Sequence, residues 1–484
     1  MADDSSKVLR IGWGHADITP SWPVMIAGQF PVRISEGVKD PITTTALALE
    51  RDGEQVVFVS CDLVVISEEL ARAVKERLAA ADDAPDPARL IMNATHTHTA
   101  PEPRHVGELA ANTAKPPGIE LELSPVDKYV DFAAERIAGA ILEAWQSRQP
   151  GAVAYGMSYA VVGRNRRWVD VHGRSTMYGN TATPEFSHIE GYEDHSVNVL
   201  ATYDSDGELT GVVVNVPSPS QAEEHLYVIS ADFWHETRLE LKQRLGEGLF
   251  VLGQPSAAGD QSPHLLYDKA AEERMFELKG RSQRQEIAAR IAAAVEDVLG
   301  CVGPTAEAEP LLRHAHETLD LPMRLLTEDD VRAAVEEAEQ WRQRYEEEKA
   351  RLEANPDLRK EPRWYVPVTS AYRHMHWFLG VKARYERQKE NPWVPVEVHT
   401  VRIGDAAFAT NPFELYLDYG IYIKALSPAV QTFLVQLCGV GGYVPSARSV
   451  SGGGYGSIPA STLIGPEGGR KLAEETVRML AELW

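Results

Sequence analysis

The run Leu90-Ile91-Met92-Asn93-Ala94-Thr95-His96-Thr97-His98 begins as a short apolar segment and ends in two histidines. An uninterrupted apolar run is typical of a strand that is buried on both faces of a sheet. We therefore predict a core strand whose carboxyl end carries two imidazoles. Alternate residues of a strand share a face, so His96 and His98 are expected to point the same way. Ligands of α/β proteins bind at this edge of the sheet.

Strand and helix patterns alternate around this run over the first 300 residues. Val56-Val57-Phe58-Val59-Ser60 is a second apolar run, and Leu70, Val74 and Leu78 follow it at helical spacing. The alternation continues with predicted helices at 125–147, 233–245 and 283–299 and predicted strands at 212–214 and 250–252. This order predicts an α/β fold.

The segment 327–390 interrupts this alternation with two helical patterns. The first begins at the N-cap Thr327-Glu328-Asp329-Asp330 and is rich in charged side chains, and it is expected to end near Asn355-Pro356. The second covers 370–389. We predict a single catalytic domain over residues 1–484 with a helical insertion at 327–390. The insertion is either simply exposed to solvent or a contact in a homo-oligomer.

The last hundred residues return to short elements. Strands are predicted at 396–403, 407–410 and 433–437, a Gly- and Ser-rich loop next to a site at 449–459, and a closing helix at 466–483.

Composition excludes several classes of function. The chain of 484 residues has 48 basic and 71 acidic side chains, so its formal charge of −23 argues against binding to nucleic acid. It has no apolar stretch long enough to cross a membrane, and its first residues lack the apolar core of a secretory signal. Three widely spaced cysteines, Cys61, Cys301 and Cys438, fit a reducing compartment. We expect a cytoplasmic protein, and the alternative is an exported protein whose signal was removed.

Three further segments carry candidate site residues. Gly259-Asp260-Gln261-Ser262-Pro263-His264 follows a predicted strand, Glu414 follows the predicted strand at 407–410, and Tyr443 lies in a Gly-rich turn. A carboxylate can bind a metal or act as a base, and a phenol can stabilise an oxyanion. Each feature by itself also has an ordinary explanation: a turn, a helix-capping acid, a core tyrosine or two hydrogen-bonded loop histidines.

Taken together, these segments resemble the neutral (non-lysosomal) ceramidases and their bacterial relatives. The resemblance runs in order along nearly the whole chain, although only in patches. Its THTHSGP motif is similar to 95–101, its GDVSPN motif to 259–264, and its Asn-Arg segment to Asn165-Arg166. Further similar patches are 11–20, 56–62, Phe413-Glu414, Tyr443-Val444 and 460–466.

This resemblance implies a mixed-sheet α/β core and a zinc-dependent hydrolase that cleaves an N-acyl amide bond with metal-activated water. One zinc ion is expected, with His96, Glu414 and Tyr443 among its ligands. His98 is expected to transfer protons, and Arg166 and Tyr443 to stabilise the oxyanion. Asp260 and Ser262 complete the expected catalytic residues. They shape the pocket, because an activated water makes a serine nucleophile unnecessary.

The chain departs from the family pattern at the second histidine ligand, which lies in a Val-His-Pro segment in the family. Here that position falls on Ser218, and serine is not a usual zinc ligand. We hypothesise that His225, seven residues further on, supplies the missing imidazole. His264 also replaces the family's Asn, and the immunoglobulin-like domain expected after the closing segment is absent from this sequence, which stops at Trp484.

These departures leave the substrate open. We expect a small molecule other than membrane ceramide, because no basic amphipathic stretch points to stable membrane association. One alternative is a hydrolase or lyase acting on an ester, a lactone or a sugar-linked substrate. Another is a non-catalytic binding protein on a decayed ceramidase scaffold. A long apolar groove would favour N-acyl lipids.

Overall fold

The computed structural model describes residues 7–105 and 116–484. Six of the N-terminal residues that were searched for a secretory signal lie outside these ranges. The strands, in chain order, are β1 (Arg10–Asp17), β2 (Met25–Ile26), β3 (Arg33–Ile34), β4 (Thr43–Arg51), β5 (Glu54–Cys61), β6 (Leu90–Ala94), β7 (Gln149–Tyr159), β8 (Arg164–Asn165), β9 (Arg167–Asp170), β10 (Ser175–Met177), β11 (Phe186–Ile189), β12 (Ser196–Asp204), β13 (Leu209–Val216), β14 (Phe250–Pro255), β15 (Gln261–Ser262), β16 (Leu312–Pro322), β17 (Trp393–Ile403), β18 (Ala406–Thr410), β19 (Glu414–Leu415), β20 (Gln431–Val435) and β21 (Tyr443–Val444).

The helices, in chain order, are α1 (Glu68–Ala79), α2 (Val126–Gln146), α3 (Phe233–Leu245), α4 (Lys269–Lys279), α5 (Gln283–Val302), α6 (Glu328–Ala354), α7 (Val366–Glu390), α8 (Leu417–Leu426), α9 (Ala447–Gly452) and α10 (Pro466–Ala481). Seven of the ten helices in the described ranges lie where the sequence predicted helices, and α4, α8 and α9 were not predicted. No helix in the described ranges is long and apolar enough to cross a membrane.

Two mixed sheets form the core. The larger has eight strands in the order β14-β13-β12-β7-β1-β4-β5-β6, and the smaller has four in the order β16-β17-β18-β20. Their facing sides share one apolar cluster, in which Phe58 of the larger sheet lies 4.6 Å from Phe408 of the smaller, measured between ring centroids. The predicted mixed-sheet α/β fold is confirmed.

Helices cover the outer face of each sheet and give the molecule four layers. The helices α1 and α2 pack on β1, β4 and β5, and α3 and α5 pack on the other half of the same sheet. The helices α8 and α10 cover the smaller sheet. Each sheet therefore buries both faces, which explains why its central strands are continuous apolar runs.

The helices α6 and α7 form the predicted insertion. They connect β16 to β17, two neighbouring antiparallel strands, so the insertion leaves the sheet at one hairpin end. The side chain of Thr369 on α7 accepts a hydrogen bond from the backbone N–H of Val32 (3.1 Å), and Arg373 donates one to the carbonyl of Phe30 (3.2 Å). The insertion is thereby attached to the loop between β2 and β3.

Two predicted boundaries were wrong. The segment predicted as a loop at 449–459 begins inside α9, because Ser446 caps this short helix by accepting a hydrogen bond from the backbone of Ser449. The strand predicted at 433–437 ends at Val435, and Leu437 adopts a left-handed conformation with φ 61°.

Close packing of β1 against α2 yields a stability prediction. A Cβ atom on Gly14 would lie 2.0 Å from the carbonyl oxygen of Ala140, whereas one on Gly139, in α2 itself, would meet nothing within 4 Å. We expect Gly14→Ala to lower the free energy of unfolding by about 1–3 kcal/mol through overpacking. Gly139→Ala, the matched control, should leave it unchanged or raise it by up to about 1 kcal/mol. Urea denaturation measures both, and equal effects would contradict this packing.

Candidate active site

The candidate site forms where three pairs of parallel strands end. The pairs are β5 with β6, β13 with β14, and β18 with β20. The loops that leave their carboxyl ends converge, as expected for ligand sites in α/β sheets. They carry His96 and His98 after β6, Gln221 and Glu224 after β13, Asp260 after β14, Glu414 after β18 and Tyr443 after β20.

The two histidines do not lie on a strand, which corrects the prediction that they share a strand face. β6 ends at Ala94, and His96 has a left-handed backbone with φ 64°. Non-glycine residues rarely adopt this conformation, which recurs at functional sites. The imidazoles nevertheless lie close together, with ring centroids 4.8 Å apart. They are brought together by the tight turn after the strand and not by strand alternation.

His96 presents one free nitrogen to the site. Its Nδ1 lies 2.6 Å from the carbonyl oxygen of Val64, which can only accept, so Nδ1 carries the hydrogen. Its Nε2 lies 3.5 Å from Oε2 of Glu414. A hydrogen bond at Nδ1 that orients the opposite nitrogen is the usual arrangement of metal-binding histidines.

Glu414 and Tyr443 are direct neighbours across a short parallel bridge between β19 and β21. Burial by itself raises the pKa of Glu414, but His96, Arg166 and Tyr443 outweigh this effect and lower the pKa to about 2. Burial raises the pKa of Tyr443 well above its ordinary value. At neutral pH the site therefore holds a carboxylate beside a protonated phenol.

Arg166 is the buried cation of the site. Its Nη2 lies 3.4 Å from both Oε2 of Glu414 and the hydroxyl of Tyr443, and it donates to the carbonyl of Gly259 at 2.9 Å. Its Nη1 donates to the hydroxyl of Tyr178 (2.5 Å) and to Oε1 of Gln221 (3.1 Å). The guanidinium thus links Glu414 and Tyr443, which the sequence predicted as site residues, to Tyr178 and Gln221, which it did not.

His98 takes its orientation from this network. Because Oε1 of Gln221 faces Arg166, its amide nitrogen faces Nε2 of His98, at 2.6 Å, and donates to it. Nδ1 of His98 then carries the hydrogen and lies 3.1 Å from Oε2 of Glu224. Burial lowers the pKa of His98 to about 4, although Glu224 opposes this shift. The imidazole is therefore neutral at pH 7.

Glu224 joins His98 to His264. Its Oε1 lies 2.9 Å from Nε2 of His264. Burial opposes ionisation of Glu224, but His264 and His98 outweigh burial and hold the pKa of the carboxyl far below its ordinary value. His264, the departure from the family's Asn, is thus a partner of this carboxylate.

The position of the family's second histidine contains no imidazole. Ser218 is fully buried, and its hydroxyl donates to the carbonyl of Pro219. His225 does not join His96, Glu414 and Tyr443: its side chain is 77% exposed and lies 3.7 Å from Glu224. Within 7–105 and 116–484, no group of three or more His, Cys, Asp or Glu side chains is placed to hold a metal ion.

Asp260 and Ser262 lie in the framework around Arg166. Asp260 accepts hydrogen bonds from the backbone of Leu417 (2.9 Å) and the side chain of Asn165 (3.2 Å). Its backbone carbonyl accepts a hydrogen bond from the backbone N–H of Arg166 at 2.8 Å. Ser262 is fully buried and accepts from the backbone of His264 at 3.3 Å. Both residues tie loops of the site together.

Sequence reasoning missed four residues of the site, namely Tyr178, Gln221, Glu224 and Tyr455. Glu224 directly precedes His225, which was predicted as the replacement ligand. Tyr455 lies in the Gly- and Ser-rich segment that was expected near a site. Tyr178 and Gln221 carried no signal, since they reach the site only through the tertiary fold.

Comparison with solved structures identifies the fold. The chain is similar to a neutral ceramidase from Pseudomonas aeruginosa, with a TM-score of 0.66 and 19% sequence identity over 99% of this chain and 75% of that one. It is also similar to a ceramidase complexed with C2, with a TM-score of 0.64 and 18% identity over 98% and 75% of the two chains. The chain thus has the fold of these ceramidases, as the motifs predicted. Neither the protein-family models nor the curated proteins compared match the sequence.

Asp260 yields a prediction of pH dependence. Burial raises its pKa from 3.8 to about 6, although the hydrogen bond from Leu417 opposes the shift. An acid with a higher pKa in the folded state stabilises the fold while protonated, and this contribution disappears as the pH rises through about 6. Wild-type protein should therefore lose about 3 kcal/mol of stability relative to Asp260→Asn between pH 4 and pH 7.5.

Chemical denaturation at both pH values measures this difference. Asp320→Asn, which changes an exposed carboxylate on β16, is the matched control and should track the wild type at every pH. If the free energies of unfolding of the wild type and Asp260→Asn changed in parallel between pH 4 and pH 7.5, Asp260 would already be ionised at pH 4.

Proposed function

We propose that this protein is a hydrolase that cleaves an amide bond and that His96, Glu414 and Tyr443 hold a zinc ion. One observation carries the proposal: Nε2 of His96 faces Oε2 of Glu414 at 3.5 Å, while Nδ1 of His96 is engaged by the carbonyl of Val64. A carboxylate oxygen and an imidazole nitrogen without hydrogen are both electron-pair donors, so a metal cation fits between them. The similarity in fold to proteins described as ceramidases supports the amide bond as the target.

The donor set fits zinc in a catalytic site. Nitrogen and oxygen ligands at the usual zinc distances lie about 3.4 Å apart in tetrahedral geometry, close to the observed 3.5 Å. Catalytic zinc takes three protein ligands and keeps one position open. His96, Glu414 and Tyr443 meet that number without a second imidazole, so the loss of the family's histidine at Ser218 is compatible with the proposal.

Zinc at these residues would supply a Lewis acid and a water that is nucleophilic near neutral pH. The chain's own residues then have defined tasks. Arg166 is placed to donate a hydrogen bond to a carbonyl oxygen as negative charge develops on it. His98 is neutral, and its Nε2 accepts a hydrogen bond from Gln221, so it can take up a proton at that atom only after the Gln221 amide turns away. Gln221 and Glu224 hold the imidazole in a single tautomer.

Metal content tests the ligand set. Protein loaded with zinc and freed of excess should contain about one zinc per chain by elemental analysis. Glu414→Gln and His96→Ala should each lower zinc affinity by at least about 100-fold, because one of three donors is lost. His225→Ala is the matched control and should keep the metal, because the side chain is exposed. Loss of zinc in His225→Ala would instead establish the hypothesis that this imidazole is the second ligand.

Ser262 tests the choice of nucleophile. Its hydroxyl is buried and held by His264, so we expect Ser262→Ala to retain hydrolysis of an N-acyl amide within about tenfold. His96→Ala should reduce the rate by at least about 100-fold. The mass spectrum of enzyme quenched during turnover should show no acyl adduct. An acyl adduct on Ser262 would show that the nucleophile is Ser262 and not an activated water.

A further inference from the structure

Three aromatic side chains meet beside the catalytic residues. The ring of Tyr455 lies 5.5 Å from that of Tyr443, measured between centroids, at an interplanar angle of 75°. Trp377 lies 5.8 Å from Tyr455, and Phe30 lies 5.1 Å from Trp377 and 6.4 Å from Tyr455. We call Phe30, Trp377 and Tyr455 the aromatic wall.

The wall combines three separate parts of the chain. Phe30 comes from the loop between β2 and β3, Trp377 from α7 of the helical insertion, and Tyr455 from the Gly-rich segment after α9. The insertion, whose charged surface suggested only solvent exposure or an oligomer contact, thus contributes directly to the surroundings of the site.

Each part of the wall is firmly supported. The carbonyl of Tyr455 accepts a hydrogen bond from Arg167 at 2.6 Å, and Arg167 is itself paired with the buried Glu190. Behind Phe30, the imidazole of His374 stacks at 3.8 Å, and Trp341 stacks on His374 at 4.0 Å. Such layered packing keeps the rings in place without a ligand.

The wall is partly exposed to solvent, and it adjoins the site through Tyr443. Tyr455 is 40% exposed, and Phe30 and Trp377 are half-buried. Tyr178 and His264 add two more rings near Arg166, 5.3 Å apart and nearly perpendicular. The side chains that surround the reacting centre are therefore aromatic and polar.

We propose that the aromatic wall binds an aromatic ring of the substrate next to the scissile amide bond. This inference rests on the proposed function, since it names the substrate class of the same site. Aromatic rings attract one another in edge-to-face and offset arrangements at 4.5–7 Å, beyond the gain from buried area alone. Rings in the wall already adopt these arrangements with one another, so an incoming ring can continue the pattern. A linear alkyl chain gains only from buried area.

Binding of two matched amides tests the proposal without requiring turnover. N-methyl-2-phenylacetamide and N-methyloctanamide have acyl groups of equal carbon number, one with a ring and one linear. Ligand-observed NMR titration of the full chain loaded with zinc should show about fivefold tighter binding of the phenylacetyl amide. Trp377→Leu and Phe30→Leu should each reduce that preference to less than twofold.

Trp393→Leu, which changes an exposed tryptophan on β17 beside Lys471, is the matched control and should keep the preference. Thermal denaturation identifies any variant that fails to fold, and Phe30→Leu remains informative if Trp377→Leu unfolds. Equal or tighter binding of the octanoyl amide by the wild type would overturn the aromatic subsite. A fivefold preference without hydrolysis of either amide would support the subsite and count against the proposed function alone.

Discussion

The Glu414 carboxylate is buried at the junction of the two sheets' loops, and the surrounding structure compensates its charge. A carboxylate removed from water is strongly destabilised unless it is paired and hydrogen-bonded. Here Arg166, Tyr443 and His96 supply that compensation, and the pKa of Glu414 falls to about 2 despite burial. Arg166 in turn needs acceptors for its own donors, which it finds in Tyr178, Gln221 and the carbonyl of Gly259. The charge of Glu414 is thus compensated by side chains that come from separate segments of the chain.

The four-layer arrangement makes this meeting possible. Three pairs of parallel strands end at the same edge, and the backbone beyond each end is free to turn towards its neighbours. His96 enters through a left-handed turn, and Glu414 and Tyr443 are paired by a short parallel bridge. Close approach is also needed at Gly28, where a Cβ atom would lie 2.5 Å from the ring of His98 in a backbone with φ 93°. Small residues and unusual turns occur where side chains of the site must pack against backbone.

The loop after β13 contributes most of the polar groups around His98. It brings an amide and a carboxylate, Gln221 and Glu224, to His98, and the imidazole of His264 completes the group. A carboxylate between two imidazoles favours one tautomer of each ring. The loop that contains Ser218 thus forms a polar cluster around His98, and the helices at 327–390 contribute Trp377 to the aromatic wall.

The sequence by itself determined the α/β fold class and the positions of most helices, and its motifs predicted the candidate residues His96, His98, Arg166, Glu414 and Tyr443. Apolar periodicity indicates which residues are buried, and a short motif shows several candidate site residues within a few positions of one another. Only the tertiary structure decided that Glu224 and not His225 faces inwards, since adjacent residues of a loop differ only in how the backbone turns. Gln221 meets His98, and Phe30 meets Trp377, only because segments more than a hundred residues apart pack together. Such contacts follow from how the layers pack, and no local pattern encodes them.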